Sequence, residues 1–427
     1  MFPSTANDGK PPVLILDGGM GTTLQSYPIA QALDSNLWSS ELLRFKEGRE
    51  TLEALHRAWI DSGADVVESC TYQSSLPLFL PRDGPFSAEL LSSSLDVMTS
   101  AIPLLTSITS SSSTCRAALS LGPFGASLQP GQEYAGLYPP PFGPAPSPSS
   151  IASGQAAFES VPLPLDDFSS RSCATARDPE DYLAAWHLLR LRHFASNLVE
   201  FAKLKVLAFE TVPNVYEARA IRRAMAAFRR ELGAKETDEA AAAAAAQVPF
   251  YISFVFPLVN AGSDQDEGVR FPDDSIKDLA LDAQSKLIID ATFGPLDESG
   301  RAVDLADGIG FNCTSPKYAH VVVDSLSRAY SNHVAAHSPP SGSRPFFVLY
   351  PDGGSVYSVE TRTWSHPLGL TDSKWAEIVS GSIERLRAVV DGAGAPVWKG
   401  VLAGGCCKAG PGAIKELSRV VRERGWR

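Results

Sequence analysis

Eight short apolar runs, each bounded by turn residues and most followed by a longer helical pattern, recur along the whole chain. They are Val13 to Leu16, Ala64 to Glu68, Ala117 to Leu121, Val206 to Phe209, Phe250 to Val255, Gly308 to Phe311, Phe346 to Leu349 and Val401 to Ala403. Each is nearly continuous rather than alternating, the pattern of a parallel strand buried on both faces. Helical periodicity falls between them at Thr51 to Ser62, Pro179 to Lys203, Val215 to Leu232, Ser275 to Ser285, Pro316 to Tyr330, Asp372 to Val390 and Pro411 to Arg424. Eight strands alternating with helices predict an α/β fold, a (β/α)8 TIM barrel rather than an open sheet.

Such a barrel needs only ~250 residues, and the chain has 427. The surplus is assigned to insertions in a single domain spanning 1–427. Residues 139–172 are rich in Pro, Ser and Gly and are expected to have little regular structure. Residues 235–246 are acidic and then alanine-rich, suited either to lengthening a helix or to a surface loop. Asn260 to Arg270 and His333 to Arg344 read as further polar loops. The net charge of -11 argues against a nucleic-acid or anionic-membrane partner. Six cysteines are too few for a disulfide scaffold and suit a reducing compartment. With no secretory pattern near Met1 to Pro12 and no apolar stretch approaching ~18 residues, a cytoplasmic protein is expected. Oligomeric state is not specified by any of these features.

The apolar run Val401 to Ala403 leads into Gly404-Gly405-Cys406-Cys407. Successive side chains of a regular strand point to opposite faces, so two adjacent thiols reach one point only if the backbone leaves the strand, which the glycines permit. This reads as a soft-metal site with zinc as first candidate, and Cys313 ends another run in the same way. Catalytic residues of this fold gather at the C-terminal ends of its strands. Asp17-Gly18-Gly19, Glu68 to Gln73, Gly122-Pro123-Phe124-Gly125, Glu210-Thr211, Asn312-Cys313, Tyr350-Pro351-Asp352 and Cys406-Cys407 all fall there. Three thiolates around a tetrahedral zinc leave one position open, as in a catalytic site. A substrate thiol taken there would be held deprotonated. A site with four sulfurs is electron-rich and suits a cationic electrophile, such as a sulfonium or quaternary ammonium methyl donor.

The combination of Asp17-Gly18-Gly19-Met20-Gly21-Thr22, Gly122 to Ala126 with Gly131-Gln132-Glu133-Tyr134 and Tyr138, Phe209-Glu210-Thr211, Asn312-Cys313 and Gly404-Gly405-Cys406-Cys407 resembles the zinc-dependent homocysteine S-methyltransferase family. The resemblance runs from about Leu14 to about Leu417, outside the insertions. It implies one Zn2+ per chain on Cys313, Cys406 and Cys407, with Glu210 holding the α-amino group of homocysteine and Asp17, Gly18 and Gly19 lining the amino-acid pocket. The stretch Gly122 to Tyr138 looks like the branch that takes S-methylmethionine or S-adenosylmethionine; betaine is the alternative donor, and a non-catalytic thiol-binding barrel the alternative role. Thr71, Tyr72, Gln73 and Tyr134 are further candidates for substrate contact, and the faces of Tyr72, Phe124, Tyr134 and Tyr138 suit a sulfonium. Two departures from the family pattern stand out. Ala409 and Gly410 replace two threonines, and Asp352 replaces an asparagine.

Each candidate also has a plainer reading. The cysteines would serve as small core residues, Glu210 as half of an ion pair, Asp17 as a turn former, and Tyr72, Gln73 and Tyr134 as rim packing. A Cys406–Cys407 disulfide would be strained. Cys70, Cys115 and Cys173 are taken as non-ligands.

Overall fold

The computed structural model describes the chain except residues 1–5, 7, 30–32, 34, 82–85, 113, 145–177, 260–267, 295–303, 338–343, 359–362 and 366–367. Most of the insertion at 139–172, with Cys173, lies outside the described residues.

Among the described residues there are ten strands: β1 (Val13–Ile15), β2 (Val66–Glu68), β3 (Arg116–Leu121), β4 (Val206–Val212), β5 (Phe250–Val255), β6 (Gly308–Asn312), β7 (Phe346–Tyr350), β8 (Val356–Ser358), β9 (Thr363–Ser365) and β10 (Val401–Ala403). Eight form one sheet in the order β1-β10-β7-β6-β5-β4-β3-β2, every pair parallel. A parallel bridge between Leu16 and Val66 joins the two ends, so the sheet closes as a (β/α)8 barrel. Asp65 reinforces this seam. Its N–H donates to Ile15 O at 2.7 Å, and its Oδ2 accepts from the Ile15 N–H at 2.8 Å. β8 and β9 form a small antiparallel hairpin outside the barrel.

The strands form because their residues are apolar on both faces. β4, β5, β6, β7 and β10 are buried at every position, one face meeting the helices and the other filling the barrel. Around them the helices bury one stripe each. In Pro411–Glu423 the buried residues include Ala413, Ile414, Leu417 and Val421, spaced as one helical face.

Several expected boundaries move, each for a local reason. The helix read from Pro179 to Lys203 is two: Pro179–Phe194, and Leu198–Phe201. The break is at Asn197, whose side chain accepts from the Glu200 N–H at 3.2 Å and starts the second helix. The helix read at Ser275 to Ser285 begins later, as Leu281–Phe293. Ahead of it Asp273 holds a turn and reaches another helix: its Oδ1 accepts from the Ser275 N–H at 3.0 Å, and its Oδ2 from the Val215 N–H at 2.9 Å. The alanine-rich run is a separate helix, Glu239–Ala246, because Asp238 turns the chain with a positive φ of 55°. The helix after β6 extends to His337, so the first residues of the expected loop at His333 to Arg344 are helical. Helices Ala88–Thr99 and Ala101–Ser110 were not expected. Together they make 23 residues apolar enough in length and composition to cross a membrane, but they divide at Ser100, and the second packs Ala101, Ile102 and Leu105 into the barrel's outer core.

Candidate active site

A cavity of about 600 Å³ opens at the C-terminal ends of the barrel strands. Seven strand ends line it, through Asp17, Glu68, Ser120, Glu210, Asn312 with Cys313, Tyr350, and Cys406 with Cys407. This is the rim anticipated from the sequence.

The three thiols converge. One sulfur each from Cys313, Cys406 and Cys407 lies within 4.8 Å of the other two. Backbone departures from strand geometry bring them together. Cys313 has a φ of 46°, and Lys408, just after the pair, has 65°. The Cys406 N–H donates to Pro351 O at 2.9 Å, and Cys407 O accepts from the Gly353 N–H at 2.7 Å. Gly19 and Gly404 have no room for a side chain: a Cβ on the first would strike Cys406 O, and one on the second would sit 2.5 Å from Asp17 O. Cys313 and Cys406 are joined as a disulfide with Cα atoms 5.4 Å apart. The adjacent pair Cys406–Cys407 is not bonded, as its geometry led us to expect.

The donor set fits a soft metal. It offers three sulfurs from two strand ends on the cavity wall, and reduction of Cys313–Cys406 is the precondition. Burial and then Asp352 push the Cys407 thiol up to about 12, so without a cation this sulfur stays protonated. Asn312 supports the cluster from behind. Its Nδ2 donates to Thr211 Oγ1 at 2.7 Å and contacts Cys406 Sγ at 3.8 Å. Its Oδ1 accepts from the Thr211 N–H at 2.9 Å and from Ser253 Oγ at 2.8 Å.

The same cavity also holds an acidic group, Asp17, Glu68 and Glu210. The register of β4 against β5 shifts between Phe209 and Val212, and Thr211 takes a φ of 57°; this bulge re-aims Glu210 into the cavity. Ser120 Oγ donates to Glu210 Oε1. Burial pushes Glu210 up to about 7. Asp17 Oδ2 accepts from the Glu68 N–H at 2.9 Å, while its buried Oδ1 has no partner among the described residues. No ion pair to Glu210 exists among the described residues.

The other sequence candidates divide. Gly18, Gly19, Tyr72, Gln73 and Tyr134 line the cavity. Tyr134 is hydrogen-bonded to Cys407 and Tyr72 to Thr211. Of the turn amides, Asp17 N–H is committed to Val66 O and Gly19 N–H to Ala409 O. Thr71 is fully buried outside the lining, with its hydroxyl bonded to Ser120 O at 2.7 Å and paired with Ser69 Oγ at 2.6 Å. Phe124 and Tyr138, expected to face a sulfonium, instead pack with Phe142 and Trp186 in a satellite core. Glu217 anchors them. Its Oε1 accepts from the Phe124 N–H at 2.7 Å and meets His187 Nε2 at 3.1 Å, and its Oε2 accepts from Tyr138 OH at 2.5 Å. Trp38, which lines the cavity, was missed, because it lies in a 3-10 segment, Trp38–Arg44, with no strand-end signal. Asp352 caps a turn, its Oδ1 accepting from the Gly354 N–H at 2.7 Å. Ala409 is part of the turn itself, donating its N–H to Cys406 O at 3.0 Å.

Fold and rim together describe a (β/α)8 barrel with a polar cavity at the C-terminal ends of its strands, on which three cysteines cluster. A family model described as homocysteine S-methyltransferase matches residues 14–421, and the chain belongs to that family. Homocysteine S-methyltransferase 4 of Zea mays is 26% identical over 417 residues, covering 96% of this chain and 89% of the relative. Among solved structures, the homocysteine methyltransferase MmuM from Escherichia coli superposes in its oxidized form with a TM-score of 0.53 at 19% identity, covering 97% of this chain and 98% of that one. Its metallated form gives 0.52 at 17% identity, covering 96% of each. At these identities the superpositions speak for the fold.

Proposed function

We propose that this homocysteine S-methyltransferase takes its methyl group from a sulfonium amino acid, S-methylmethionine or S-adenosylmethionine, and works with one Zn2+ held by Cys313, Cys406 and Cys407. The observation that carries the reading is the meeting of three sulfurs within 4.8 Å on a cavity that also holds the acidic group. The metallated form of the E. coli neighbour is in keeping with it. When bound, zinc supplies the positive charge that keeps a substrate thiol ionised at neutral pH.

The chain's own residues do the positioning. Glu210 and Asp17 receive the α-ammonium of homocysteine and the Gly18 amide faces its carboxylate, which places the sulfur toward the cysteines. The donor lies across Tyr72, Tyr134 and Trp38, whose ring faces attract a sulfonium by about 0.5–2 kcal/mol. Glu133 favours a sulfonium amino acid over betaine. Its buried Oε2 has no partner among the described residues and it lines the cavity; an amino-acid donor brings ammonium N–H groups to it, whereas betaine has none. Transfer is an in-line displacement. The homocysteine sulfur forms a bond to the methyl carbon as the donor's S–CH3 bond breaks, its electron pair staying on the donor sulfur, now a neutral thioether. Alignment of the two reactants supplies the rate. The cytoplasm is the fitting compartment, since the metal set needs reduced cysteines.

The test is turnover of the purified, reduced protein with homocysteine and each donor separately, alongside metal analysis. Methionine from a sulfonium donor and zinc near one per chain, lost in Cys406→Ser, are expected. Turnover with betaine alone would overturn the donor assignment.

A further inference from the structure

We propose that Glu68 is a third carboxylate gripping the substrate's α-ammonium, so that Asp17, Glu68 and Glu210 offer one acceptor for each of its three N–H donors. The proposal rests on the homocysteine reading of the pocket and adds to it a residue that selects for the amine.

Glu68 ends β2 and lines the cavity. Its backbone N–H fixes Asp17 Oδ2 at 2.9 Å, so the two acids are held side by side across the barrel seam. Tyr251 OH, from β5, donates to Glu68 Oε1 at 2.6 Å and orients the carboxylate from the barrel interior. That leaves Oε2 uncommitted among the described residues. Asp17 Oδ1 is likewise buried and unpartnered. The three carboxylates are near enough to oppose one another's ionisation, Glu210 and Asp17 acting on Glu68 and Glu210 on Asp17. No Lys, Arg or His side chain is bonded to any of the three among the described residues. A buried acidic cluster with open acceptors on Asp17 and Glu68, and no bonded cation among the described residues, is costly on its own and is complementary to a cation that arrives with N–H donors. The α-ammonium of an amino acid has that form, three donors on one positive nitrogen.

The residue therefore acts on binding and selectivity rather than on the transfer step. Titration calorimetry on the reduced enzyme as purified would compare homocysteine with 4-mercaptobutanoate, the same thiol acid without the amine. Glu68→Gln keeps the size and the acceptor for Tyr251; it should weaken homocysteine by about tenfold, the scale of one charge-assisted hydrogen bond, and leave 4-mercaptobutanoate unchanged. Equal changes for both thiols, or none, overturn the proposal. If Glu68→Gln does not fold, Tyr251→Phe removes the orienting hydroxyl and should lower the same affinity ratio; an unchanged ratio counts against us. A wild-type enzyme that binds the two thiols equally would instead sink the ammonium reading of the whole pocket.

Discussion

Asn312 joins the two walls of the site, bonding Thr211 next to Glu210 and touching Cys406 Sγ. A residue that orients metal ligands from behind typically changes metal affinity by about 10–100-fold when lost. Asn312→Ala should therefore lower zinc affinity by that order, measured by competition with a chelator, and Cys407→Ser should lower it further. Glu133→Gln should raise KM for the sulfonium donor while leaving homocysteine affinity as it is; equal effects on both substrates would remove Glu133 from the donor site. The acids also set a pH dependence. Burial pushes Glu133, Glu210 and Asp352 to about 7 from ordinary values of 4.5, 4.5 and 3.8. Between those limits the native state holds more protons than the unfolded chain, so their contribution to stability falls as pH rises and is spent above about 7. The ligand-free melting temperature should drop across this window, with a shallower slope in Glu133→Gln. At this scale the cysteines, Asp17, Glu210, Tyr72, Gln73 and Tyr134 were legible as cavity residues, since each ends a strand or follows a glycine turn. Glu68 was visible only as a strand end, because nothing in the sequence places it beside Asp17.

At the scale of elements, the loop after β3 is held by the helix Val215–Gly233 through Glu217. Burial keeps His187 below its ordinary pKa despite that carboxylate, so the contact is a hydrogen bond to a neutral imidazole. Glu217→Ala would strand the Phe124 N–H, the Tyr138 hydroxyl and His187 without their acceptor. The expected cost is about 3 kcal/mol, read as a lower denaturation midpoint, with a higher KM for the donor because Tyr134 sits on that loop. This also explains why Phe124 and Tyr138 were misassigned. Aromatic residues in a glycine-rich rim loop look like ligand platforms, and only the partner 79 positions away in sequence from Tyr138 shows that they are core. The helix start at Val215 was legible, but its support was not: Asp273, 58 residues further on, accepts from the Val215 N–H, a long-range bond that local periodicity cannot carry.

For the whole molecule, buried strands with two apolar faces made the barrel readable, whereas the seam that closes it was not. β1 and β2 meet through Leu16 and Val66 and the two bonds of Asp65. Asp65→Ala should cost about 1–3 kcal/mol and speed hydrogen exchange in β1 and β2 ahead of β4 to β6; uniform acceleration would mean the seam is not the weak point. On the other side of β1 lies β10, and the Gly405 N–H donates to Asp17 O at 2.9 Å. The first barrel strand and the last thus carry adjoining parts of one cavity wall. During synthesis, Asp17 leaves the ribosome almost 400 residues before Cys406 and Cys407 do. A chain cut short before β10 would therefore carry the acids of the cavity without Cys406 and Cys407, a rim lacking two of its three sulfurs.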